Sequence, residues 1–226
     1  KYDLYITGSN AFLLSSDLAT LFTGRTFEIK MFPFSFAEYL QYFGTADKYA
    51  AFDNYMLEGG MAGSYLYSDT EAKYDYIAEV FDTLIVRDIQ SKYRIRNPQL
   101  LYRIVDFLMD NISNLSSARN ITSALNGAME KIHHTTVGAY IQYLCNAFAF
   151  YRVRRYDIKG KKYLSANDKY YLCDHTFRYA KLGTKNMDYG RMLENIIAIE
   201  LLRRGYEVYV GVLYKKEIDF VAIRRS

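Results

Sequence analysis

No run of apolar residues in this chain approaches the roughly 18 that a membrane-spanning helix needs, and no signal peptide stands at its start. Cysteine is scarce. Cys145 and Cys173 each sit in an apolar stretch, with no CxxC and no Cys/His cluster. That pattern excludes a thiolate zinc site and points to buried free thiols in a reducing compartment, the cytoplasm. The phosphate-cradling G-x-x-x-x-G-K-[ST] loop is missing as well. Proline occurs only at Pro33 and Pro98, each where a regular element would break or begin.

What is present is apolar residues enough for real cores, half of 226 positions, a length that suits one to three domains. The net charge of +4 hides a segregation. Residues 38–90 carry ten acids and three bases, and residues 92–162 carry twelve bases and four acids. A local positive excess of this size suits a nucleic acid or an acidic partner. It suits equally an intramolecular match between the two halves.

The pattern along the chain predicts a mixed α/β, multidomain fold in four segments. Residues 1–44 read as strand, helix, strand, helix: Tyr2–Thr7 is the first strand, Phe27, Ile29 and Met31 alternate in the second, and Ser35-Phe36-Ala37-Glu38 is a capping box. Residues 45–93 are helical apart from Gly59-Gly60-Met61-Ala62-Gly63, where three glycines demand a bend or a close backbone approach. Residues 72–93 read as one helix. Residues 94–162 give three helices and a β-ribbon, the order of a winged helix-turn-helix, with Leu100, Leu101, Ile104, Val105, Leu108 and Met109 as an inward stripe. Residues 163–226 are α/β, with an apolar helix over 192–202 between strands.

Asn10 ends the first strand. A polar side chain there either caps the next helix or orients a phosphate-attacking water. Arg25, after Gly24, is either a solvated turn residue or a phosphate contact. In the C-terminal segment Glu217 and Asp219 are two apart on a strand and so share a face, about 6–7 Å apart. With Glu194 on the preceding helix they form a carboxylate set suited to Mg²⁺, and metal-activated water cleaves phosphodiesters. The other reading pairs them with Arg203, Arg204, Lys215 and Lys216. Helix glutamate followed by strand aspartate is similar to the PD-(D/E)XK nuclease core, although the E-x-K of that core does not occur after Asp219 in this sequence. In the basic segment, Arg119, His133, His134, Thr135 and Thr136 fall near the start of the second helix of the helix-turn-helix, where base and phosphate contacts are made, and Arg152, Arg154 and Arg155 fall on the wing. Asp174-His175 has no serine partner for a hydrolase triad.

Leu4-Tyr5-Ile6-Thr7-Gly8-Ser9-Asn10, Gly24-Arg25 and Pro33-Phe34-Ser35-Phe36-Ala37-Glu38-Tyr39 together resemble the late part of the AAA-type domain in a prokaryotic P-loop ATPase family. Members of that family join the ATPase to a C-terminal domain of unknown function. Gly59-Gly60, Arg87-Asp88-Ile89, Leu193-Glu194-Asn195 and Glu217-Ile218-Asp219-Phe220 match its later landmarks in order, so the resemblance covers essentially the whole chain. It implies a P-loop sheet remnant over 1–44, a helical lid over 45–93, Asn10 as sensor, Arg25 as a finger-like arginine, and ATP with Mg²⁺ as cofactors of the intact protein. Walker A and Walker B segments are absent from the sequence, so this chain by itself is expected to bind ATP poorly. The leading expectation is thus part of an AAA-type ATPase. The alternative is a DNA- or protein-binding winged-helix module with a degenerate or Mg²⁺-dependent nuclease-like segment, acting on DNA, with a protein partner or as a homo-oligomer.

Overall fold

The computed structural model describes residues 29–127, 132–160, 162–185, 188–214 and 216–224, together with Tyr5 and Phe27. Asn10, Arg25 and the strand–helix pattern around them lie outside the described residues. Residues 29–32, where alternation predicts a strand, are not in one. The capping box forms as written. Ser35 precedes α1 (Phe36–Phe43), accepts from Glu38 N at 3.2 Å, and donates its own N–H to Glu38 Oε2 at 2.7 Å. Those hydrogen bonds from Ser35 hold the Glu38 carboxyl below its ordinary range.

Helix α2 (Lys48–Glu58) starts on the Asp47 cap and stops at Gly59, whose φ of +64° suits glycine. The close approach expected of these glycines is present. A Cβ on Gly60 would lie 2.2 Å from the carbonyl oxygen of Phe34, and one on Gly59 2.4 Å from Asp174 Oδ1. A 3₁₀ turn (Ala62–Leu66) leads to α3 (Thr70–Val80), a π-helical stretch (Phe81–Arg87) and α4 (Asp88–Tyr93). The single helix expected here therefore changes its hydrogen-bond pitch midway. Rings fill the first helical layer: Phe36 meets Phe52 at 5.1 Å, and Tyr39 meets Tyr55 at 5.4 Å and Tyr65 at 5.6 Å between centroids.

Next come α5 (Pro98–Asp110), α6 (Ala118–Leu125) and α7 (His134–Asn146). Pro98 takes the first turn of α5, and all six residues of the expected stripe are buried there. The chain continues through β1 (Phe150–Asp157), β2 (Lys162–Leu172), α8 (Thr176–Leu182), α9 (Tyr189–Arg203), β3 (Tyr206–Leu213) and β4 (Lys216–Arg224). The sheet order is β2-β1-β3-β4, with β1 and β3 parallel and the other pairs antiparallel. The ribbon after α7 is thus half of a four-stranded mixed sheet, and β2 crosses the expected boundary at residue 162. Between Val153 and Arg155 the β1 partner jumps from Lys169 to Leu164, and the resulting bulge is pinned by a bridge from Ser116 to Asp168.

A continuous core runs from Ile77 and Phe81 through the α5 stripe to Val153, Tyr171, Val208 and Val210 beneath Met192, Ala198 and Ile199 of α9. Among the described residues no helix is long and apolar enough to cross a membrane.

Candidate functional site

A cleft of about 520 Å³ opens where the N-terminus of α6 and one side of α7 meet β1 and the bulge of β2. Arg119, His134 and Arg152 line it, with Asp168 and Tyr170 at its back. Arg152 Nε contacts Asp168 Oδ2 at 2.5 Å, and that carboxylate is buried by the loop before α6. Part of the Arg152 charge is therefore neutralised from within. Arg119 is exposed.

The other residues expected to touch nucleic acid divide by position. His133 caps α7, its Nδ1 2.7 Å from Thr135 Oγ1, so these two side chains hold the helix end, and Thr136 follows in the first turn, half-buried. Arg154 is exposed on the same face of β1 as Arg152. Arg155 falls on the opposite face by alternation, with its Nε buried and without a hydrogen-bond partner among the described residues.

The three carboxylates read as a metal set do converge. They converge on an ammonium. Lys169 Nζ of β2 lies 2.8 Å from Glu194 Oε1 of α9, 2.8 Å from Glu217 Oε1 and 3.4 Å from Asp219 Oδ1 of β4. Its side chain is only 3% exposed. The Tyr171 hydroxyl donates to the same Glu194 oxygen at 2.7 Å. Burial alone would lower the Lys169 pKa; the hydrogen bonds to Glu194 and Glu217 outweigh it and raise it. On a flat sheet β2 and β4 would stand about 14 Å apart. Side-chain contact between them, including the Tyr171 and Phe220 rings at 6.0 Å, requires the sheet to curl over α9.

Among the described residues no group of three His, Cys, Asp or Glu is set to hold a metal ion. Glu194, Glu217 and Asp219, expected as a Mg²⁺ set, are thus brought together around the Lys169 ammonium. Of the four expected partners, Arg203 pairs with Glu200 and Glu38 and Arg204 with Glu200, while Lys215 lies outside the described residues.

The chain belongs to a family defined by a domain of unknown function, DUF8612. The family model matches residues 49–188, more than half of the chain. Residues 1–40 match the model of an AAA domain. Together these fit an AAA-type family that carries a domain of unknown function. Over 97% of its length the chain is 40% identical to an uncharacterized protein of Haemophilus influenzae, covering 56% of that protein. It is 27% identical, again over 97% of its length, to an uncharacterized protein of Methanocaldococcus jannaschii, covering 52% of it. The chain thus spans about half the length of these relatives. No solved structure matches it.

Within the DUF8612 match lie the cleft and Lys169; Glu194, Glu217 and Asp219 follow it, and the AAA match ends inside α1. The junction is tightly built. Phe34 N donates to Gly60 O at 2.8 Å, and the Tyr55 hydroxyl donates to Phe34 O at 2.7 Å. Arg203 donates to the Pro33 carbonyl, and Phe32 stacks on Tyr151. From the other side, Asp174 accepts from Gly60 N at 2.6 Å and from Thr176 N at 2.9 Å, while His175 Nε2 lies 3.0 Å from the Met56 carbonyl. Asp174 and His175 are thus structural staples between α2 and the sheet. Asn195 closes both backbone groups of Leu172. Both cysteines are free, and burial pushes the Cys145 thiol up to about 12.

Lys169 escaped the sequence reading, and Asp174 entered it only as a dismissed triad member. The signal for Lys169 was a lysine directly preceding the apolar run Tyr170-Tyr171-Leu172-Cys173 of a strand, which marks a buried charge in need of partners.

Proposed function

We propose that the intact protein is an AAA-type ATPase that couples ATP hydrolysis to work on nucleic acid, held by the DUF8612 region at the basic cleft between α6, α7 and β1. The observation that carries the ATPase half is the AAA match over residues 1–40, which contains both Asn10 and Arg25. In this reading Asn10 orients the attacking water and Arg25 reaches the γ-phosphate, in cis or from a neighbouring subunit. The nucleic-acid half is supported by Arg119, His134, Arg152 and Arg154 lying along one surface in a segment with a large positive excess. The succession α5, α6, α7, β1, β2 supports a winged-helix reading of that region. The helix glutamate and strand aspartate support kinship with a PD-(D/E)XK core, retained as scaffold around Lys169.

The test is steady-state ATP hydrolysis by the intact protein with Mg²⁺. Asn10→Ala lowers kcat about 100-fold and leaves KM nearly unchanged, as expected for a group that acts in the transition state. Absence of hydrolysis, or an Asn10→Ala protein as active as wild type, overturns the proposal.

A further inference from the structure

The cleft is one end of a longer surface. On β1, Arg152, Arg154 and Tyr156 alternate onto the face of the sheet opposite α9; Val153 and its ladder partner Lys169 take the face beneath that helix. Tyr156 pairs directly with Tyr163 of β2, and Arg154 pairs with Tyr209 of β3. The three rings meet, with centroids 5.5 Å apart for Tyr156–Tyr163, 5.8 Å for Tyr156–Tyr209 and 5.3 Å for Tyr163–Tyr209, tilted 42–58°. Tyr163 is 59% exposed. Glu207 closes the phenol end of Tyr209 by a 3.2 Å hydrogen bond, so the rings, not the hydroxyls, form the open part. From Arg152 to Tyr156 the strand runs about 13 Å.

Helix α7 does not supply what a major-groove reader needs. From His134 to Asn146 it contains no Lys, Arg, Asp or Glu. Arginine is on the sheet, beside the tyrosines. Cations that follow a backbone next to aromatic rings that accept bases are how proteins hold single strands, because every base has a π-face and in a single strand that face is free to stack on a side chain.

We propose that this sheet face is a stacking platform for single-stranded nucleic acid, with Tyr163 as the outermost ring, Tyr156 and Tyr209 behind it, and Arg152 and Arg154 on the phosphates. The inference rests on the nucleic-acid half of the proposed function and names its substrate class.

Fluorescence anisotropy of labelled (dT)₂₀ and of a duplex of the same length, with the intact protein at low salt, tests it. The expected result is tighter binding of (dT)₂₀ than of duplex, about tenfold weaker binding by Tyr163→Ala, and near wild-type binding by Tyr163→Phe, which keeps the ring. Tyr163 is exposed enough for the alanine protein to fold, and far-ultraviolet circular dichroism checks this. Equal binding of duplex, or a Tyr163→Ala protein that binds (dT)₂₀ as wild type does while Arg152→Ala weakens it, overturns the platform and leaves the nucleic-acid reading standing. Failure of the wild type to bind either probe at low salt, including binding of an acidic polypeptide instead, overturns both.

Discussion

Replacing Lys169 by methionine keeps most of the side-chain volume and removes the ammonium. Glu194, Glu217 and Asp219 then lose the cation they share, and Glu194 keeps the Tyr171 hydroxyl. Breaking a buried pair by deleting one member costs about 3–5 kcal/mol. The carboxylates are not equally enclosed: Glu194 is 18% exposed, Glu217 38% and Asp219 65%. Water therefore screens the last two, and the estimate falls to about 3 kcal/mol, carried mainly by Lys169 and Glu194. In urea, with a slope near 2–3 kcal/mol/M, the unfolding midpoint of Lys169→Met drops by about 1 M at pH 7. A double-mutant cycle with Glu194→Gln returns a coupling of about 2 kcal/mol or more. A Lys169→Met protein within about 0.5 kcal/mol of wild type, a scale typical of surface substitutions, or a cycle that returns no coupling with Glu194, refutes the account of this cluster.

Two further outcomes test the junction between the AAA match and the rest of the chain. Gly60→Ala places a methyl 2.2 Å from the Phe34 carbonyl, a backbone atom that cannot rotate away, and destabilises the protein by about 2–4 kcal/mol in the same urea assay; limited proteolysis then cuts first in residues 29–35. Ser35→Ala removes the α1 cap and costs about 1 kcal/mol at pH 7. The Ser35 backbone N–H, which alanine keeps, and its hydroxyl, which alanine lacks, both depress the Glu38 pKa, so the hydroxyl's share of the stability is present above the unfolded value of 4.5 and is lost as pH falls through the lower folded one. The difference between wild type and Ser35→Ala therefore narrows as pH falls from about 5 towards 3, which chemical denaturation at each pH reads directly.

Much of the fold was legible because local signals and packing agree. Ser35 with Glu38, Pro98 at a first turn and the six-residue stripe of α5 each specify a helix start or a buried face from spacing alone, and each does so in the structure. The second rank of information is non-local and left little trace. Nothing in the sequence of β1 says that it pairs with β3, more than fifty residues away, and so joins two segments in one sheet. The pitch change at residues 81–87 carries no proline or glycine to announce it. In the candidate sites, residue type pointed to side chains that the fold brings together but not to their partners. Glu194, Glu217 and Asp219 were visible as a carboxylate set, while the Lys169 that joins them became apparent only once the sheet curls. Arg155 belongs chemically with Arg152 and Arg154, yet strand alternation turns it inward.

The most direct test of the central claim is ATP turnover by the intact protein measured with and without saturating (dT)₂₀. The account predicts Mg²⁺-dependent hydrolysis whose rate changes several-fold when the strand is added, and loses that change in Arg152→Ala. No hydrolysis, or a rate that the strand leaves unmoved although it binds, contradicts it.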